Sequence, residues 1–330
     1  MNFKKKLQIF CSLFLLFLFP VQIFAYSDKV ILGGENIGIE VEEKYINIVG
    51  FYKVNGKYIA KEAGLKIGDK ILKVNQQDVS STEEMIKIID NTSSKTNIVL
   101  TVLRNNQTND YVLNLKKDDK NVYKTGIYVK DQITGIGTLT YIDPKTKIYG
   151  ALGHEIVDSR TNQKIEIKNG KIFQSSITGI EKSESRNTGE KNAIFYSKHV
   201  YGTVTENTIS GIFGNYQKSF SENNLIDVGE KNEIKLGNAS IYTVINGEEK
   251  EEFSINILNV NLFNETKNIL FEITDKELLE KTGGVIKGMS GSPIVQDGKL
   301  IGAVTHAIVD ENGNKGYGIF ITTMLNEGEN

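Results

Sequence analysis

The sequence predicts a mostly β protein in which a small β-rich α+β module precedes a β-barrel domain. Three observations predict it. The 330 residues include 31 glycines but only three prolines. Segments rich in Ile, Val and Thr alternate with Gly, Asn and Lys clusters, the pattern of short strands joined by turns. Long amphipathic helical repeats are few.

The N-terminus comes first. Lys4, Lys5 and Lys6 precede an apolar run over residues 7–25, rich in Leu and Phe. A basic patch followed by such a run reads as an export signal, and its length also suits a membrane anchor. Residues 1–25 are therefore expected to be a signal peptide or membrane anchor, with the rest of the chain outside the cytoplasm. The one cysteine, Cys11, lies in this run, so the body of the chain has no thiol for a disulfide or a metal site. His154, His199 and His306 stand far apart and none has a zinc-ligand spacing. No metal and no cofactor is expected. Net charge is -2 with both signs mixed along the chain, and without a basic stripe no nucleic-acid partner is expected.

Residues 26–117 form the first folded block. Residues 38–41 and 47–51 read as short strands. The stretch from Ala63 to Asn75 reads as a short helix ending at Gly64, a turn at Gly68-Asp69 and a strand. Ser81 with Glu84 three residues later is a helix-start pair, and Met85, Ile88 and Ile89 then share one face. Residues 97–103 and 111–115 alternate as strands. This block resembles a PDZ domain, with the Ala63 to Asn75 stretch its most specific part. The resemblance implies a peptide bound as an added strand beside a helix, its terminal carboxylate held by backbone N–H groups. The loop would be Asn36-Ile37-Gly38-Ile39, so Ile37, Gly38 and Ile39 are the expected peptide-binding residues. That loop departs from the usual Gly-Leu-Gly-Phe. Residues 116–121, charged and turn-prone, are expected to be the linker, and residues 118–330 the second domain.

The strongest motif of that domain is Gly288-Met289-Ser290-Gly291-Ser292-Pro293, followed by a hairpin that turns at Asp297-Gly298. A serine between glycines suits a nucleophile in a chymotrypsin-like barrel, because glycine permits the tight turn. The N–H groups of Gly288 and Ser290 would then face a developing oxyanion, and one such donor lowers a barrier by about 3 kcal/mol. A serine hydroxyl needs a base. His154, in Gly150-Ala151-Leu152-Gly153-His154, precedes the serine in chain order as in chymotrypsin-like enzymes. His306, just past the hairpin, is the rival, expected to line the cleft or to be structural, and His199 reads as a surface strand residue. A carboxylate should orient the base, and the sequence leaves Asp143, Asp158, Asp227 and Asp275 open. Thr274 and Glu277 also make a helix-start pair around Asp275.

The segments 137–141, 150–158 and 274–306 together resemble the stage IV sporulation protein B family, serine peptidases of endospore-forming bacteria with a membrane segment, a PDZ domain and a chymotrypsin-like-clan domain. The resemblance implies His154 as base, Ser290 as nucleophile and Asp275 as acid. It also implies an exported sporulation endopeptidase acting between forespore and mother cell. Such an enzyme cuts itself and a membrane-bound regulator of an intramembrane metalloprotease, which processes a late mother-cell sigma factor. Two other functions fit the same residues: an envelope quality-control protease, and a catalytically inactive PDZ adaptor.

Overall fold

The computed structural model describes residues 26–92, 96–118, 122–158, 163–184, 187–308 and 313–329. The expected signal or anchor, residues 1–25, and residues 119–121 of the expected linker lie outside the described residues. Among the described residues no helix is long and apolar enough to cross a membrane.

Strands dominate, and they close two barrels. In the C-terminal barrel Gly237–Thr243 pairs with Glu251–Val260, which pairs with Ile269–Ile273. Lys315–Phe320 and Lys299–Ala307 follow. Pro293–Gln296 then closes the ring onto Gly237–Thr243. Alternate residues point inward, and Ile255, Ile257, Phe271, Ile273 and Ile294 fill the interior.

The N-terminal barrel is built from Asn36–Phe51, Ile127–Ile142, Ile148–Ala151, Gly211–Asn215, Glu190–Thr203 and Ile167–Glu181. A bridge between Gly202 and Tyr216 helps close it. Ile37, Ile39, Val41, Leu139, Ile172 and Ile212 form its core.

The α+β module has its own core, from Ile46 through Leu100 and Leu113 to Ile127. It contains Lys70–Val74, Asn97–Arg104, Gln107–Asn114 and two helices, Ile59–Glu62 and Thr82–Asn91. The second helix starts where Ser81 predicts. The Ser81 hydroxyl accepts the Glu84 amide at 3.2 Å, while the Glu84 carboxylate reaches the Ser80 amide. The Gly68-Asp69 turn is pinned by Arg104, whose guanidinium grips the buried Asp69 carboxylate.

The expected division at residues 26–117 and 118–330 differs from this arrangement. Lys29–Leu32 pairs with Leu225–Val228 and with the end of Ile127–Ile142, and Ile31, Ile37, Ile39 and Val41 belong to the barrel core. The module is thus inserted into the N-terminal barrel rather than placed before it. The reason is the length of Asn36–Phe51 and of Ile127–Ile142. Each runs for 16 residues, long enough to serve the barrel at one end and the module at the other.

Candidate active site

Ser290 lies in the turn that leads into Pro293–Gln296. Gly288 and Gly291 on either side both have φ of +93°, a conformation that favours glycine. A Cβ on Gly291 would also sit 2.1 Å from the Thr138 carbonyl oxygen. The turn is tied inward by the Gly291 amide donating to Val304 and the Ser292 amide donating to Met289.

His154 follows Ile148–Ala151 in the other barrel. Leu152 has φ of +69° and the Gly153 amide donates back to Ala151 at 2.9 Å. That is a strained γ-turn, and it lifts His154 out of the strand toward the second barrel. His154 Nε2 meets Ser290 Oγ at 2.9 Å, and His154 Nδ1 meets the carbonyl of Glu155 at 2.8 Å. A carbonyl only accepts, so Nδ1 carries the hydrogen and Nε2 is left bare to take a proton. The Ser290 hydroxyl lies between that nitrogen and the Thr305 carbonyl at 3.1 Å. Burial holds the His154 pKa below the usual histidine value, against the opposing pull of Glu155. The ring is neutral at neutral pH, the form a base needs.

Asp275 is not at this site. It caps helix Lys276–Thr282, its Oδ1 accepting the Leu278 amide at 3.0 Å. Among the described residues no carboxylate is hydrogen-bonded to His154. The physical reason is that Asp275 follows strand Ile269–Ile273 of the C-terminal barrel, where a helix N-terminus claims its charge. Asp143 is buried and binds the Ser27 amide and hydroxyl. Asp227 pairs with Lys29 at the surface. Asp158 lines a separate pocket with Glu43 and Glu166.

Ile37, Gly38 and Ile39 do not form a ligand loop. They lie inside Asn36–Phe51, paired on one edge with Gly137, Ile136 and Gly135 and on the other with Gln174, Phe173 and Ile172. Their main-chain groups are spent on the barrel, which leaves no nest for a carboxylate. The apolar-glycine-apolar sequence suits a buried strand equally well, and the barrel partner that decides it lies over 130 residues away.

The Gly288 and Ser290 amides donate no hydrogen bond among the described residues. The turn that carries them is held from behind by Thr138. Its amide donates to the Ser290 carbonyl at 2.9 Å and its hydroxyl to the Gly288 carbonyl at 2.8 Å. The Thr140 hydroxyl donates to the Gly291 carbonyl at 2.8 Å. Sequence reasoning missed both. The available signal was two hydroxyls at alternate positions of the apolar second half of the strand, residues 136–142, and both are fully buried.

Two further groups border the turn. His306 lines the cleft, its ring centroid 5.4 Å from that of His154. Burial, with His154 and Lys267 nearby, pushes its pKa down to about 4. Lys191 is 2% exposed, its Nζ donating to the Thr243 hydroxyl at 2.8 Å. Its stem packs on Gly288, where an added Cβ would meet Lys191 Cδ at 3.0 Å. Burial pushes the Lys191 ammonium down to about 7. His199 stands at the surface, bonded to Gln174.

Ser290, His154 and Gly288 open onto a cleft of about 810 Å³ whose other walls include Ile39, Ile136 and Leu152. The arrangement can take a proton from the Ser290 hydroxyl and offer two amides beside it. That is the chemistry of acyl transfer.

Comparison with known proteins agrees with this chemistry. The profile of the family described as SpoIVB peptidase S55 matches residues 121–325, and that of the PDZ domain matches residues 36–115. No curated protein matches the chain.

Proposed function

The chain belongs to the SpoIVB peptidase S55 family, a serine peptidase with a PDZ domain, and on that basis we propose that Ser290 and His154 are its catalytic pair. The observation that carries the assignment is the 2.9 Å contact between His154 Nε2 and Ser290 Oγ, made across the two barrels. Ser290 Oγ attacks the scissile carbonyl as its proton passes to His154 Nε2. The amides of Gly288 and Ser290 receive the oxyanion. Collapse of the intermediate breaks the C–N bond, and His154 returns the proton to the leaving amine. Water, deprotonated by the same nitrogen, then releases the acyl group from Ser290.

Substrates are peptides or proteins. The family's name supports a role in sporulation. The finer reading is a signalling endopeptidase, exported toward the space between forespore and mother cell, that cuts itself and a membrane-bound regulator. The basic and apolar N-terminal segment supports export.

The test pairs the intact chain with its Ser290→Ala form and follows both by intact mass. Shortening of the wild type at discrete positions, with the variant unchanged, is the expected result. Two full-length proteins, together with no reaction of the wild type with a fluorophosphonate, would remove both the self-cleavage and the Ser290 assignment.

A further inference from the structure

A PDZ domain takes its ligand as an extra antiparallel strand, laid along a sheet edge beside a helix. In this chain that edge is already filled. Residues 127–132 run antiparallel to the second half of Asn36–Phe51, with Ile127 opposite Phe51, Tyr128 opposite Gly50, Val129 opposite Ile48 and Lys130 opposite Asn47. They also lie against helix Thr82–Asn91. Asp131 Oδ2 accepts the Thr82 amide at 2.6 Å, in the helix's first turn. Ile127 and Val129 pack into the core that contains Met85, Ile88 and Ile89, while Tyr128 and Lys130 face solvent. The alternation is that of a bound peptide: apolar, outward, apolar, outward, acidic.

The same strand does not stop at the module. Beyond Gln132 it passes Ile133, Gly135 and Ile136, which line the cleft of Ser290. Six residues after Gln132 it presents Thr138, whose amide and hydroxyl hold the carbonyls of Ser290 and Gly288. One continuous strand, Ile127–Ile142, therefore fills the peptide groove at one end and braces the nucleophile turn at the other.

We propose that the ligand of the PDZ groove is residues 127–132 of the same chain, and that their seating holds the Ser290 turn in its reactive form. The groove is then a latch for the peptidase rather than a site for free peptides. A peptide of matching pattern enters only by displacing the strand, and in doing so slows the enzyme. The second half of this inference rests on the assignment of Ser290; the first half does not.

The experiment locks and loosens the strand within one protein. A Cβ on Gly50 would lie 3.7 Å from Tyr128 Cβ, inside the range of about 3.5–4.5 Å found in disulfides. The double variant Gly50→Cys/Tyr128→Cys, in a Cys11→Ser chain, locks the strand when oxidised. Adding Val129→Asp sets a charge against the helix and loosens it. Fluorophosphonate labelling of Ser290 and hydrogen exchange of the amides of residues 127–132 are followed in each. The oxidised double variant is expected to label within about twofold of its reduced form. The reduced triple variant is expected to label about tenfold more slowly, with fast exchange, and to recover on oxidation. Wild-type labelling by the reduced triple variant would overturn the coupling. So would a triple variant inert in both redox states, or a double variant silenced by oxidation. A wild type that takes no label would sink the Ser290 assignment instead. Exchange would then decide groove occupancy alone: protected amides in the wild type, lost with Val129→Asp, keep it, and unprotected ones overturn it.

Discussion

The carbonyl of Glu155, the residue next in sequence, accepts the Nδ1 hydrogen of His154 at 2.8 Å. His154 is thus oriented by its own backbone. Asp275, the carboxylate that the family pattern implies, caps a helix on the other barrel. Removing Asp275 should therefore act on stability more than on chemistry. Asp275→Ala is expected to cost about 1 kcal/mol through the lost cap and to leave kcat within a few-fold of wild type at 20 °C. A carboxylate holding the histidine would instead cost about 10⁴ in kcat. Thermal melts and single-turnover rates on the same samples separate the two.

The acid limb of the activity profile follows from burial of His154. Its pKa is depressed, so the ring stays neutral below the ordinary histidine value of about 6.5. Activity should persist to lower pH than an exposed histidine would allow. His306, pushed to about 4, stays neutral throughout that range and adds no second inflection. A kcat/KM profile from pH 4.5 to 8 with its midpoint above 6.5 would contradict this.

Thr138→Val keeps the shape of the brace and removes the hydroxyl bond to the Gly288 carbonyl. The buried carbonyl then loses a partner, at about 1–2 kcal/mol. Labelling of Ser290 is expected to slow by about tenfold, with the amide bond to Ser290 retained. Thr140→Val, whose hydroxyl holds the Gly291 carbonyl three residues beyond Gly288, should slow it less. Equal losses in the two variants would argue against a brace acting on the Gly288 and Ser290 amides.

Lys191 makes stability depend on pH. Its folded pKa is about 7, depressed from 10.5 by burial. Between those values the unfolded chain binds a proton that the folded chain does not, so stability rises with pH from about 7 upward. Below pH 7 the folded protein carries a buried ammonium bonded to the Thr243 hydroxyl, with no carboxylate partner among the described residues. Lys191→Met should remove this slope and raise the melting temperature at pH 7 and below, where replacing a buried charge by an apolar side chain is favourable. Parallel melting curves for the two proteins from pH 6 to 9 would show the idea to be wrong.

How much could be read in advance depended on how local each signal was. Ser81 and Glu84 announced helix Thr82–Asn91 because capping is settled within four residues. The glycines flanking Ser290 announced a tight turn for the same reason. His154 needed only its place ahead of the serine. Asp275 was ambiguous, because the residues that make a cap are those that make a triad acid, and only the position of His154 in the other barrel separates them. Ile37 to Ile39 were misplaced because strand pairing is non-local. Nothing near Gly38 says that Phe173 will lie beside it. The inserted module was hidden likewise, since both strands that connect it to the barrel look like ordinary strands at either end. Thr138 is a brace only because the turn it holds comes 150 residues later.

The insertion has a consequence for timing. Lys29–Leu32, among the first described strands to be synthesised, finds its partner in Leu225–Val228 nearly two hundred residues on. The N-terminal barrel cannot close until the whole module has emerged, and His154 has no serine to meet until residue 290 follows. Contacts this distant form late and slowly. A chain still being made is thus a peptidase without a working centre. The order of synthesis thus delays assembly of the His154–Ser290 pair until both barrels are complete.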